Sequence, residues 1–325
     1  FVGLGRLTIV GSVDGQPTRL SFALNGQFVG AERLGVLSSR VAVIGGGRQA
    51  LRDLQLPGRP IDLAGATEVG SVAYVAAVRD GSREIAVFLI DDSLQARQVW
   101  SLPAGTWVHA MVSTPRGLYV ASDSGLWRVD VGTGTAIRVT PQGVIGLGWD
   151  AIEETVLGSV AVTPGQLRVH KENAAGDWVE DVEQPTGADR IVQVGSTAVA
   201  FQRGVGSSGM PPLLDLTGDS TVAVGLSPGG RNLVRRTGVS GSWVASPISE
   251  GPIDAVAIAV FSGWPIDERL VVAEFRGSVW LSSDGGQTWA AVMELTGTFG
   301  GIIVAENGDV LVLEFGGIGW EPVAF

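Results

Sequence analysis

Apolar and polar residues alternate in short runs along most of the chain, and the runs are cut off by clusters of Gly, Pro, Asn, Asp and Ser. A period of two in runs this short predicts β-strands, and the near absence of a 3.6-residue period argues against an α/β fold. Near the start the pattern predicts strands over 18–24, 27–34, 40–44 and 50–56, the first two joined by Asn25-Gly26. Asn-Gly adopts the positive φ values of a two-residue hairpin turn, which makes it the best short hairpin signal in the chain. Further strands are predicted over 71–78, 84–89, 96–102, 165–170 and 177–182. The last part gives 301–305, 309–315 and 319–325, the first two joined by Glu306-Asn307-Gly308.

The strands repeat. Glu274-Phe275-Arg276-Gly277-Ser278-Val279-Trp280 returns 40 residues later as Glu314-Phe315-Gly316-Gly317-Ile318-Gly319-Trp320, and Leu118 to Trp127 is a looser third copy. A repeat of this length, with each copy reading as a strand, a turn and a strand, is the signature of a β-propeller blade. The chain thus reads as an all-β, single propeller domain over 1–325, with seven four-stranded blades. Six is the alternative if 188–250, which is long for one blade and carries a loop at 204–212, is mostly insertion. The predicted blades cover about 18–57, 60–104, 105–142, 143–187, 188–250, 252–296 and 300–325. Residues 5–13 have a strand's alternation and no partner in their own blade, while 300–325 supply three strands. Joining the N-terminal strand to the C-terminal blade is expected to close the ring and cover the open sheet edge.

Composition narrows the function more than the fold. With 22 basic and 33 acidic residues the net charge is −11, which argues against nucleic acid or an anionic membrane as partner. No run approaches the length of a membrane span, and the absence of cysteine excludes disulfides and thiolate metal sites. Lys171 is the only lysine among the basic residues, a bias that points to a GC-rich coding genome. The chain begins at Phe1 and ends at Phe325 within strand-like sequence, which suggests a piece of a longer polypeptide.

One segment carries a recognisable motif. Ser282-Ser283-Asp284-Gly285-Gly286-Gln287-Thr288-Trp289 fills the pattern Ser-x-Asp-x-Gly-x-Thr-Trp. Asp and Gly supply a tight turn whose carboxylate can take backbone amides, and the aromatic residue returns the chain to a packed strand. The segment resembles the Asp-box, or bacterial neuraminidase repeat, of one large group of β-propellers. That resemblance implies a fold-stabilising turn built on Ser282, Asp284, Gly286, Thr288 and Trp289, and it names no activity. Sialidases of these families use a tyrosine nucleophile near the end of the chain, whereas Tyr74 and Tyr119 fall inside predicted strands. The chain is identified as a non-sialidase member.

Most of the ten Trp residues need no functional reading. Trp127, Trp178, Trp243, Trp280, Trp289 and Trp320 fall at like positions in outer strands, where a ring wedges between neighbouring blades. Trp149 with Asp150 and Trp264 with Asp267 differ. They lie where first strands turn into second strands, and an aromatic face beside an acid suits a sugar, so these four are the candidate ligand-binding residues. His109 and His170 lie on strands of different blades, and Asp91-Asp92 and Glu153-Glu154 lack calcium-loop spacing, so no metal and no cofactor is expected. A glycoside hydrolase would need two carboxylates, which turns could supply from Asp123, Asp189, Asp254, Glu274 and Glu314. Nothing in their spacing selects a pair. The expected function is therefore a non-catalytic structural or interaction module, in a larger assembly such as a phage tail, baseplate or capsid surface or a bacterial surface adhesin. Its partners would be other protein subunits of that assembly, or a glycan.

Overall fold

In the computed structural model the described residues are 6–13, 16–23, 28–45, 51–79, 84–114, 116–122, 124–139, 144–150, 155–163, 166–172, 178–180, 190–194, 197–207, 209–219, 221–238, 241–248 and 250–323, with side chains described for most of those between 38 and 139 and between 190 and 316. Their regular structure is all β, with no helix among the described residues. The first strands are β1 (Arg6–Val13), β2 (Gln16–Ala23), β3 (Phe28–Ile44) and β4 (Leu51–Asp53). Three four-stranded antiparallel sheets follow. The first holds β5 (Gly58–Gly65), β6 (Ser71–Arg79), β7 (Ile85–Asp91) and β8 (Ala96–Ser101), and the second β9 (Val108–Thr114), β10 (Gly117–Ser122), β11 (Gly125–Asp130) and β12 (Thr135–Arg138). The third holds β13 (Val144–Asp150), β14 (Thr155–Thr163), β15 (Gln166–Glu172) and β16 (Trp178–Glu180). Next come a two-stranded sheet of β17 (Arg190–Val194) and β18 (Thr197–Phe201), and a four-stranded one of β19 (Asp215–Gly218), β20 (Val222–Leu226), β21 (Asn232–Thr237) and β22 (Trp243–Pro247). The last are the sheet of β23 (Ala255–Val260), β24 (Leu270–Glu274), β25 (Ser278–Ser282) and β26 (Ala290–Glu294), and the strands β27 (Thr298–Val304) and β28 (Val310–Val323).

The first strand of each sheet lies beside the first strand of the next: β5 by β9, then β13, β17, β19, β23 and β27, and β27 again by β5. Sheets whose first strands neighbour one another in cyclic order stand around a common axis, which is the arrangement of a β-propeller. Burial follows from it. Second strands are covered on both faces, so β6 is buried along nearly its whole length and reads as a continuous apolar run. Fourth strands such as β22 are exposed at nearly every position.

Five of the seven innermost strands share one irregularity, and β17 and β19 pair without it. A single extra residue interrupts the pairing at Ile61 in β5, His109 in β9, Ile145 in β13, Val256 in β23 and Gly300 in β27. A bulge bends its strand and re-aims the side chains after it.

The seam differs from the expected one. The strand beside β28 is β3, paired from Val310↔Ile44 to Val323↔Ala31, whereas β1 pairs with β2. Chain ends do meet there, but Arg40–Ile44 rather than 5–13 lies beside the C-terminal strands. The strands predicted for a separate first blade belong to that same sheet, in which β4 pairs with β3 and β27 with β28. Residues 188–250, drawn as one blade, contain both the β17–β18 and the β19–β22 sheets. The Asn25-Gly26 turn lies outside the described residues.

Candidate functional site

The first strands enclose a cavity of about 790 Å3. Its walls are mostly apolar, with Met111, Val192, Leu216, Ile258 and Ile302 among them, and its charged residues, among those described, are Asp62, Arg190, Arg203 and Asp215. Asp62, Arg190 and Asp215 are placed by the inner strands β5, β17 and β19, and Arg203 by the chain after β18. Arg190 opens β17 and donates to Asp215 Oδ1 through Nε at 3.1 Å and Nη2 at 2.9 Å. The other oxygen, Asp215 Oδ2, accepts the Ile258 amide at 3.0 Å. Ile258 lies two residues past the Val256 bulge, on β23, which is the edge strand of its sheet and so has amides directed away from β24. Asp62 holds a comparable position three steps around the ring, on β5. It sits next to the bulge, and among its neighbours is the amide of Met111, two residues past the His109 bulge of β9.

The two aspartates end differently. Burial pushes Asp62 up to about 7, against the pull of the Leu63 amide, the Arg190 guanidinium and the Met111 amide. Its Oδ2 is sealed from solvent and has no hydrogen-bond partner. A carboxyl group in that position favours its neutral form, because the charged form would leave an acceptor unsatisfied in a poorly polarisable site. Nearby on β6, Tyr74 is wholly buried, and burial together with Glu68 holds its phenol above the ordinary range.

The Ser282 to Trp289 turn is a closed hydrogen-bond system. Asp284 Oδ1 accepts the amides of Gln287 at 3.0 Å and Thr288 at 2.9 Å and the Ser282 hydroxyl at 2.8 Å, while Oδ2 accepts the Thr288 hydroxyl at 2.6 Å. The Ser282 oxygen accepts the Gly286 amide at 2.7 Å. Gly286 has φ +86°, a value that favours glycine, and its carbonyl accepts the Trp289 indole N–H at 3.1 Å. The Thr288 hydroxyl and amide, with Ser282, hold the Asp284 carboxyl down at about 2.

The other expected site residues are engaged in packing. Trp264 is 8% exposed, lies in the core with Leu226, Leu233 and Leu270, and donates its indole N–H to the Val222 carbonyl at 2.8 Å. Its ring therefore offers no face to a sugar. Asp267 is clamped by Arg269 through Nε at 2.9 Å and Nη2 at 2.6 Å, which keeps its carboxyl below the usual range. The side chains of Trp149 and Asp150 lie outside the described residues, as do Asp123 and Asp189. Glu274 accepts the Ile253 amide at 2.9 Å and the Ser278 amide at 2.8 Å. Glu314 is 1% exposed; it accepts the Thr296 hydroxyl at 2.6 Å, the Gly297 amide and Arg40 Nε at 2.9 Å. Burial raises it, but these donors outweigh burial and leave it below the usual range. Asp254 is exposed. Among the outer-strand tryptophans, Trp127 packs against Trp100 at 5.5 Å, and Trp280 and Trp289 pack on the core that holds Trp264.

No known protein family and no curated protein matches the chain. Among solved structures it is similar to a nidogen/laminin complex, at 7% identity and a TM-score of 0.44 over 86% of this chain and 99% of that one. It is also similar to BamB from Moraxella catarrhalis, at 15% identity and a TM-score of 0.46 over 96% and 100% of the two chains. The GH74 enzyme of Niastella koreensis has 16% identity and a TM-score of 0.45, with 98% of this chain covering 53% of that one. Similarity this distant leaves the fold resting on the ring of first strands and assigns no activity.

The central cluster escaped the sequence reading. Asp62, Arg190 and Asp215 are separated by most of a blade or more, and each looks like an isolated charge next to apolar residues. A usable signal did exist: a charged residue at the start of a predicted first strand, where the repeat otherwise carries apolar ones.

Proposed function

We propose that the chain is a seven-bladed β-propeller acting as a non-catalytic interaction module of a larger assembly, a virion component or a bacterial surface adhesin, and that its Ser282 to Trp289 turn is an Asp-box. The observation that carries the reading is the state of the carboxylates. Glu274 and Glu314, the best placed of the expected catalytic acids, have both oxygens engaged by backbone amides, a hydroxyl or Arg40. An acid so held orders a turn, and proton transfer at a substrate would compete with the donors that fix it. Close to Glu274, Ile253 and Phe275 are 58% and 51% exposed, and Phe275 reaches the mouth of the central cavity. Two large apolar side chains beside a cavity mouth suit a partner surface.

A glycoside hydrolase in the central face has one observation in its favour, the raised carboxyl of Asp62. A raised carboxyl suits a general acid, but the second carboxylate of that cavity, Asp215, is committed to Arg190 and the Ile258 amide. Two measurements separate the readings: the native mass of the protein in its source material, and sugar release from a panel of polysaccharides. A megadalton particle and no sugar release support the module. A small monomer that releases sugar, and loses that activity on Asp62→Asn, overturns it.

A further inference from the structure

The geometry points to the central cavity as a binding site for a small aliphatic ammonium ion, with Asp62 as its counter-ion. Three features converge there. Asp62 lines the cavity and carries an oxygen with no hydrogen-bond partner, so the site lacks a donor. An ammonium group supplies three N–H donors and a positive charge, which together satisfy that acceptor and stabilise the ionised carboxyl. The terminal torsion of an aspartate is broad, so a small turn brings the carboxyl face toward a ligand. Hydroxyls of Ser113, which shares a hydrogen bond with Thr67, and Thr217 line the same cavity.

The other charges of the cavity are compatible with such a ligand. Arg190 is held by Asp215 through two hydrogen bonds, so its charge is locally matched. Arg203 is the remaining cation, and it acts against the ligand from the chain after β18. The chain as a whole carries −11, which raises the concentration of small cations at a concave site. The volume, about 790 Å3, lies within the range of small-molecule pockets, and the apolar wall of Met111, Leu216 and Ile258 accepts an alkyl tail. The inference shares with the module reading only the ring of inner strands. A negative binding result leaves the native-mass test of that reading untouched.

Calorimetric titration of the intact protein with n-butylammonium chloride tests it, with n-butanol and sodium butyrate as the neutral and anionic probes. Only n-butylammonium is expected to bind. It stays charged at pH 6 and pH 8, while Asp62, near 7, changes from mostly neutral to mostly ionised. The association constant should therefore be about tenfold higher at pH 8 than at pH 6, with nearly one proton released per ligand at pH 6. Asp62→Asn should remove both the binding and the pH dependence. The wild-type pH ratio and proton count decide the matter even if that variant fails to fold. Equal binding of n-butanol, binding of butyrate, a pH-independent constant, or no n-butylammonium binding at millimolar concentration would each overturn the assignment.

Discussion

The turn after β25 and the wall of the central cavity each place an aspartate among backbone amides, yet Asp284 is held at about 2 and Asp62 at about 7. The difference lies in the completeness of the donor set. Asp284 has two amides and two hydroxyls spread over both oxygens, at a position open to water. Asp62 has amides near one side only, and its other oxygen is sealed without a partner. One carboxylate therefore closes a turn and has nothing left to offer a ligand. The other is destabilised when charged and gains from any donor that enters the cavity. The same test sorts other acids: Glu274, Glu314, Asp215 and Asp267 fall with Asp284, each engaged by named donors, while Glu68, with a buried Oε2 that has no partner, falls with Asp62.

Variants can break or sharpen that division. The largest effect is expected at Trp264, where the division between packing and ligand residues is clearest. Trp264→Ala removes a buried indole from the core between two sheets and should lower unfolding stability by about 3–5 kcal/mol in urea denaturation. A stable variant would return the ring to the ligand-binding class. Glu314→Ala leaves the Gly297 amide and the Thr296 hydroxyl without their acceptor and Arg40 with Asp53 alone, and a loss of about 3 kcal/mol is expected from the same measurement. A near-wild-type midpoint would mean that the acid is dispensable for the seam and open to another role.

Two smaller effects depend on pH and have opposite signs. Asp284 has a folded-state value below its ordinary 3.8, so its contribution is complete above about pH 4 and is lost as pH falls toward 2. Asp284→Ala should lower the melting temperature at pH 6 and flatten the acid decline between pH 4 and 2, while binding in the cavity is unchanged. Asp62 has a folded-state value above 3.8, so the folded chain keeps a proton that the unfolded chain releases, and stability falls as pH rises from about 4 to about 7. Asp62→Asn should therefore raise the melting temperature at pH 8 by a few degrees and leave it unchanged at pH 4. A lower melting temperature at pH 8 would place Asp62 with the structural acids.

Strand content and the repeat were legible because both are local. Glu274 and Glu314, which mark the 40-residue shift, lie four residues after the start of β24 and β28 and accept the amide just before the neighbouring first strand, at Ile253 and Gly297. Their shared side chain is thus a shared hydrogen bond. The seam was less legible, since Gly35 and the pair Ser38-Ser39 look like a break between strands, and β3 runs through them. Pairing with β28 over both halves of β3 overrides the weak local preference of glycine and serine there. Trp264 and Asp267 were misleading for a related reason: an aromatic beside an acid resembles a sugar site, but the ring is turned into the core and the acid onto Arg269. The Asp62, Arg190 and Asp215 cluster was illegible, because the ring that assembles it from β5, β17 and β19 arises only from non-local packing.

The division between engaged and unengaged acids is tested most directly by following the carboxyl carbons of Asp62 and Asp284 by NMR through a pH titration of the intact protein. The account predicts a midpoint of about 7 for Asp62 and of about 2 for Asp284. Midpoints near 4 for both residues would contradict it, because the two carboxyl groups would then be equally well satisfied.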